Sequence, residues 1–181
     1  MNKIKASVII CTYNRSDLLF CSITAAKLQN YPSDHFEILV VDNKSTDDTR
    51  EVTARAAANS PVDIRYIFED SQGLSYARNT GIENAQGEII AFIDDDIDAE
   101  EDWLSSIVSS FDNPNVVAAG GPIRPIWPFA KPNWLTEQWQ GFYTINEYPQ
   151  ARTSGEFKPP QYPWGANMAF RKDVLITAGM F

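Results

Sequence analysis

An α/β fold, a mostly parallel sheet flanked by helices, is predicted by three observations. Short runs rich in β-branched residues alternate with segments of helical apolar spacing from Ser7 to Ala119. Some runs, Ile89-Ile90-Ala91-Phe92-Ile93 above all, are apolar throughout, as in strands buried on both faces. Three of the runs end in polar clusters, and ligands of open α/β sheets bind outside the carboxyl ends of the strands.

The elements follow in order. Ser7–Cys11 reads as the first strand. Ser16 opens a helix with Leu19, Ile23 and Ala26 on one face. Phe36–Val41 is the second strand. Ser45-Thr46-Asp47-Asp48 fits a capping box ahead of a helix carrying Val52 and Ala56. Asp63–Phe68 is the third strand, and a helix from Leu74 to Asn84 ends near Gly87. Glu88–Ile93 is the fourth strand. Leu104, Ile107, Val108 and Phe111 have helical spacing, and Asn115–Ala119 is a fifth strand stopped by Gly120-Gly121-Pro122. Repeated βα units imply right-handed crossovers and helices on both faces.

Composition changes after Pro122. Eight of the 11 prolines and four of the five tryptophans lie between Pro122 and Trp164. This stretch reads as a long insertion over the sheet edge rather than a second domain. Trp127, Phe129, Trp134, Trp139, Phe142 and Tyr143 call for burial or a flat ligand. Trp164–Arg171 resumes as a strand and Lys172–Ala178 as a helix.

The bulk numbers exclude several functions. With 181 residues and 44% apolar content the chain supports one domain with a real core. A net charge of −9 argues against nucleic acid as a partner. No apolar run approaches the length of a transmembrane helix, and Met1–Lys5 leads straight into a strand without a signal-peptide core. Cys11 and Cys21 are too few for a metal cage or a disulfide framework, which fits a reducing, cytoplasmic setting. There is one histidine, which argues against Ser-His-Asp and multi-histidine mechanisms; His35 sits in a Pro-Ser-Asp-His turn and reads as solvated. There is no Walker loop or G-x-G-x-x-G fingerprint.

The most informative cluster is Asp94-Asp95-Asp96, directly after the fourth strand. Two carboxylates about 4 Å apart repel by roughly 4 kcal/mol at an effective dielectric of about 20. A cation, a proton or an arginine must offset that. Hard oxygen ligands suit Mg²⁺ or Mn²⁺, which commonly bridge to phosphates. The plainer reading is an acidic loop capping the helix that starts near Glu100. Strand one ends in Cys11-Thr12-Tyr13-Asn14-Arg15 and strand two in Asp42-Asn43-Lys44-Ser45, on the same rim. Thr12 and Tyr13 are placed to bracket a base, and Asp42 to accept hydrogen bonds from a nucleoside, although Asp42-Asn43 also has ordinary turn chemistry. Arg78, on the helix after Gln72-Gly73, is a candidate to meet a phosphate or an aspartate.

Ser7–Arg15, Val40–Asp47, Gly73–Gly81 and Ile93–Asp96 together resemble the ordered motifs of family 2 glycosyltransferases, and Trp164–Phe181 resembles that family's Gly-x-Asn-x-Ala-Phe-Arg segment followed by Gly-x-Phe. The resemblance covers most of the chain. It implies a GT-A fold, a Rossmann-like nucleotide-binding half at 1–121 joined to the start of an acceptor-side half at 122–181. It implies inverting sugar transfer from a nucleotide-diphosphate sugar, a UDP-sugar being favoured, to a saccharide or lipid-linked acceptor. The setting would be polysaccharide or glycoconjugate synthesis, in the cytoplasm or peripheral at the inner face of the membrane. Thr12, Tyr13, Asp42 and Arg78 match nucleoside positions, Asp94 and Asp95 match ribose and donor positions, and Asp96 matches the ligand of a divalent metal, Mg²⁺ or Mn²⁺. Trp134, Trp139, Trp164 and Asn167 are assigned to the acceptor side.

The family's general base lies beyond the Gly-x-Phe segment, so the base is expected beyond Phe181 and the acceptor half is expected to be incomplete. Glu137, Glu147 and Glu156 are the acids of the insertion available to substitute. Self-association through apolar surface is expected from an incomplete half. The competing readings are a non-catalytic sugar-nucleotide-binding fragment and a receiver-like signalling domain; the Pro/Trp insertion and the position of the acidic cluster fit the second poorly.

Overall fold

The structure, a computed structural model, describes residues 4–146, 155 and 162–181. Among these residues six strands, numbered β1 to β6 along the chain, form one sheet in the order β3-β2-β1-β4-β6-β5. β1 (Ala6–Thr12), β2 (Phe36–Asp42), β3 (Asp63–Phe68) and β4 (Ile89–Asp94) are parallel to their neighbours among these four, as the alternation of the sequence predicts. β6 (Met168–Arg171) is antiparallel to β4 on one side and to β5 (Ala118–Gly120) on the other.

The pleat divides the core. Val8, Ile10, Ile38, Val40, Ala91 and Ile93 face α1 (Ser16–Lys27), α2 (Thr49–Ala57) and α4 (Trp103–Ser110). Ile9, Leu39, Val41, Ile90 and Phe92 face α3 (Leu74–Asn84) and α6 (Lys172–Ala178). Both faces of β1, β2 and β4 are therefore covered, which is why these strands read as continuous apolar runs. Gly81 is needed where α3 crosses the sheet, since a Cβ there would stand 2.7 Å from the Ile9 side chain. Within the insertion, the short helix α5 (Glu137–Gln140) runs into a 3₁₀ turn at Gly141–Tyr143.

Three local expectations are corrected. The fifth strand was expected at Asn115–Ala119, but β5 spans Ala118–Gly120. Residues before it are held in other ways: Val116 N–H donates to Asn113 O, and the Arg171 guanidinium takes the carbonyls of Phe111, Asn113 and Val116. The capping box at Ser45–Asp48 does not form. The Ser45 hydroxyl accepts from Asn14 N–H, while Asp47 serves two helices, with one oxygen on Thr49 N–H and Oγ1 and the other on Ser16 N–H. His35 is half-buried beside Tyr31, with ring centroids 6.5 Å apart, rather than solvated.

At the amino end of the sheet a buried carboxylate ties four segments together. Glu37, 1% exposed, accepts from the Ser7 hydroxyl at 2.6 Å, Gln86 N–H at 2.6 Å and Arg65 at 2.7 Å. Arg65 also reaches Asn84 O, so β1, β2, β3 and the end of α3 share one network. Removing one partner of a buried charged network strands the others. Glu37→Ala is expected to destabilise the fold by about 3 kcal/mol. Urea unfolding measures it; a loss below about 1 kcal/mol would show that water replaces the carboxylate at no great cost.

Candidate functional site

The carboxyl ends of β1, β2 and β4 meet because of register. Thr12 lies opposite Asp42, and Cys11 opposite Asp94. The loops beyond are sewn together by side chains. Asn14 adopts φ 53° and its amide oxygen accepts from Thr46 N–H, while Asn43 N–H donates to Thr12 O. The Asn43 side chain accepts from Gly73 N–H at 2.7 Å and donates to Ser71 O at 2.7 Å, fixing the loop that leads into α3. Gly73 has φ 146°, open to glycine and strained for other residues.

A cavity of about 500 Å³ opens between the end of β1 and the start of α3, lined by Cys11, Thr12, Tyr13, Asn43, Gly73 and Leu74 among others. That volume suits a small-molecule ligand. Tyr13 is about half exposed at the cavity. Burial pushes the Cys11 thiol up to about 12, against the lowering effect of Arg78, which disfavours the nucleophilic thiolate.

The aspartates differ in environment. Asp95 is buried and accepts from the Thr12 hydroxyl at 2.7 Å and from Arg15 at 3.0 Å. Asp96 is exposed and pairs with the same guanidinium at 2.8 Å. Asp94 is half-buried. Burial, then the charge of Asp96, raises the Asp94 carboxyl above its ordinary range against the opposing charge of Arg78. Burial also raises Asp95, outweighing the Thr12 hydrogen bond and Arg15. Arg15 thus supplies an offset that the sequence demanded, and it was assigned no role there. The available signal was its place three residues after Thr12, in the loop that follows the strand paired with β4.

Asp42 and Arg78 approach the rim from opposite faces of the sheet. Asp42 is buried on the α2 side, accepting from Ser45 N–H at 2.8 Å and the Tyr66 hydroxyl at 2.7 Å. Burial and this bond push Tyr66 up to about 12. The turn chemistry of Asp42 is therefore present in the geometry. Arg78 lies on the α3 side, its guanidinium 5.8 Å from the Phe92 ring centroid and 5.1 Å from that of Phe181. Gly165 packs directly against that guanidinium, and a Cβ there would make the tip of the Arg78 side chain shift.

Asn167 is buried and pinned: its oxygen accepts from Trp103 Nε1 at 3.0 Å and its amide nitrogen donates to Pro122 O at 3.1 Å. It anchors the start of the insertion beside the aspartate end of β4, since the adjacent Met168 pairs with Phe92. Trp164 is half-buried against Gly141. Trp134 pairs with Tyr143 and Trp139 with Phe142, both at 5.7 Å, and all four are exposed. Glu137 is exposed at the start of α5, and Glu147 and Glu156 lie outside the described residues.

No group of three or more metal-ligating side chains converges among the described residues. The donor set nonetheless fits a hard divalent cation. Mg²⁺ is commonly held by one or two carboxylates together with substrate phosphates and waters. Asp96 offers an exposed carboxylate where two neighbouring carboxyls are short of positive charge and a guanidinium already sits as counter-cation.

Comparison with known proteins bears on the same residues. The family model described as glycosyl transferase family 2 matches residues 7–178. The chain belongs to that family. Glycosyltransferase AglE of Haloferax volcanii is 39% identical over 97% of this chain and 55% of its own length. The glucosyl-dolichyl phosphate glucuronosyltransferase of the same organism is 27% identical over the same shares. The chain thus spans about half the length of the curated relatives it matches. Among solved structures, the mannosyltransferase PcManGT from Pyrobaculum calidifontis, in complex with GDP-Man and Mn²⁺, superposes with a TM-score of 0.73 at 23% identity, over 100% of this chain and 48% of that one. The fold is that of the GT-A glycosyltransferases. No helix among the described residues is long and apolar enough to cross a membrane.

The raised carboxyls have a pH consequence. A carboxyl whose folded pKa exceeds its unfolded value binds protons more readily when folded. Its stability contribution is full below the ordinary value of 3.8 and is lost as pH rises through the folded pKa. In chelator at pH 7, Asp94→Asn is therefore expected to unfold at a higher urea concentration than the unchanged chain. The gap should shrink as pH is lowered toward about 4. A lower midpoint for the variant at pH 7 would show that Asp94 is net stabilising and its carboxyl is not raised.

Proposed function

We propose that the protein transfers a sugar from a nucleotide-diphosphate sugar to an acceptor hydroxyl, with inversion and dependence on a divalent metal. The observation that carries this is the meeting of Asp94, Asp95, Asp96, Thr12 and Arg15 beside a cavity of about 500 Å³ at the strand ends. Residues 1–121 form the donor half in this reading, and 122–181 open the acceptor half.

The nucleoside enters the cavity against Tyr13 and the backbone after Thr12, with Asp42 toward its polar edge. Asp94 and Asp95 orient ribose and donor. Asp96 holds the metal, which when bound acts as a Lewis acid on the leaving diphosphate. Arg78 lends positive field to the Asp94 side. Inversion needs a base on the sugar face away from the diphosphate; the rim aspartates are not given that role, because all three are committed to the donor. Trp134, Trp139, Trp164 and Asn167 shape the acceptor side, the last by anchoring the insertion. A lipid-linked saccharide acceptor, in glycoconjugate synthesis, is supported by the dolichyl phosphate substrate in the name of one relative.

Calorimetric titration of UDP and GDP, with Mn²⁺ and with chelator, tests the donor side. Affinity in Mn²⁺ should fall at least about tenfold in Asp96→Ala, while the thermal midpoint in chelator is maintained or raised. Unchanged affinity for both nucleotides would remove Asp96 from metal binding. On the acceptor side, Trp134→Ala and Trp139→Ala should leave nucleotide affinity within about twofold and weaken capture of a polyprenyl-phosphate saccharide. Loss of nucleotide binding in either variant would place those rings on the donor side instead.

A further inference from the structure

We propose that Arg15 is an internal counter-cation which exchanges with the divalent metal and then engages the donor diphosphate. This rests on the donor reading above and assigns that site a residue that couples metal to nucleotide. The geometry is specific. One guanidinium nitrogen lies 3.0 Å from Asp95 and the other 2.8 Å from Asp96, so a single planar fork spans both carboxylates. The Asp95 pairing is largely shielded, the carboxylate side chain being 6% exposed, whereas that of Asp96 is 43% exposed. The proposed metal ligand is therefore the half of the fork that opens more readily.

Arg15 pairs with Oδ2 of Asp96, and a metal on the same carboxylate would be repelled by that guanidinium. A metal arriving alone therefore favours release of the guanidinium from Asp96, which leaves it without that partner. A metal arriving with a diphosphate gives the displaced fork a new bidentate anion at the same rim. Metal binding alone is thus penalised, metal binding with diphosphate is not, and the two ligands are coupled through one side chain. A lysine reproduces this action only in part, because a point ammonium lacks the rigid planar fork that holds the two carboxylates together.

Electron paramagnetic resonance of free Mn²⁺ tests the exchange without any turnover. Arg15→Gln is expected to bind Mn²⁺ alone about tenfold more tightly than the unchanged chain, with Arg15→Lys between them. Asp96→Ala in the Arg15→Gln background should abolish that gain. Equal, weaker or undetectable Mn²⁺ binding in Arg15→Gln would overturn the exchange. UDP and GDP titrations with and without Mn²⁺ test the second step: the factor by which Mn²⁺ strengthens nucleotide binding should drop by a similar ratio in Arg15→Gln. An unchanged factor would overturn the hand-over to diphosphate. Absence of nucleotide binding in every protein would overturn the donor reading, and the Mn²⁺ arm would still decide the exchange. Folding is checked by the Mn²⁺-induced thermal shift, expected to be larger in Arg15→Gln than in the unchanged chain; a smaller shift counts against the exchange.

Discussion

The whole rim depends on β1 being paired in parallel on both sides. Its register with β2 and β4 is continuous, so three strands end within one residue of each other. A one-residue slip of a strand would send its apolar set to the other face. Here both faces are buried, and the two sides differ sharply in what they pack against. Register is therefore enforced by the core, and the polar ends inherit their positions from it. The rim needs no binding loop of its own to bring Thr12, Asp42 and Asp94 to one edge.

That economy concentrates charge. Three successive carboxylates at the end of a buried strand make a poor neighbourhood for one another, and burial adds to the strain on Asp94 and Asp95. The opposite end of the sheet shows the contrast. Glu37 is more deeply buried than any of them, yet its oxygens meet a guanidinium, a hydroxyl and a backbone N–H, and it joins four segments. One end of the sheet uses a buried acid to hold the fold together. The other keeps its acids partly unsatisfied, the arrangement expected where a ligand rather than the fold completes the charge balance.

The α/β alternation was legible because strands buried on both faces leave unbroken apolar runs, and helices leave a 3.6 period. The antiparallel setting of β6 was not legible, since pairing partners 76 to 82 residues apart in the chain, Phe92 with Met168 to Ile89 with Arg171, leave no local trace. The position of β5 was missed because Arg171, far along the chain, claims the carbonyls of the preceding residues. At the rim, the convergence of strand ends could be read from pattern and topology together. The opposite facing of Asp42 and Arg78 could not, because α3 belongs to the other layer. Arg15 was visible in a quoted motif, but its aim depends on the loop geometry set by Asn14 and Ser45.

Asp47 joins the first backbone N–H of α1 to the start of α2. The residue before Ser16 is Arg15, whose carbonyl accepts from Leu18 and Leu19 N–H. Its main chain is thus clamped from both directions while its side chain remains about half exposed. Any rearrangement of that guanidinium is confined to rotation about side-chain bonds. Such rotations take picoseconds to nanoseconds, against nanoseconds to microseconds for a moving loop. In the exchange proposed for this rim, the guanidinium would therefore leave Asp96 with no movement of the main chain that carries it.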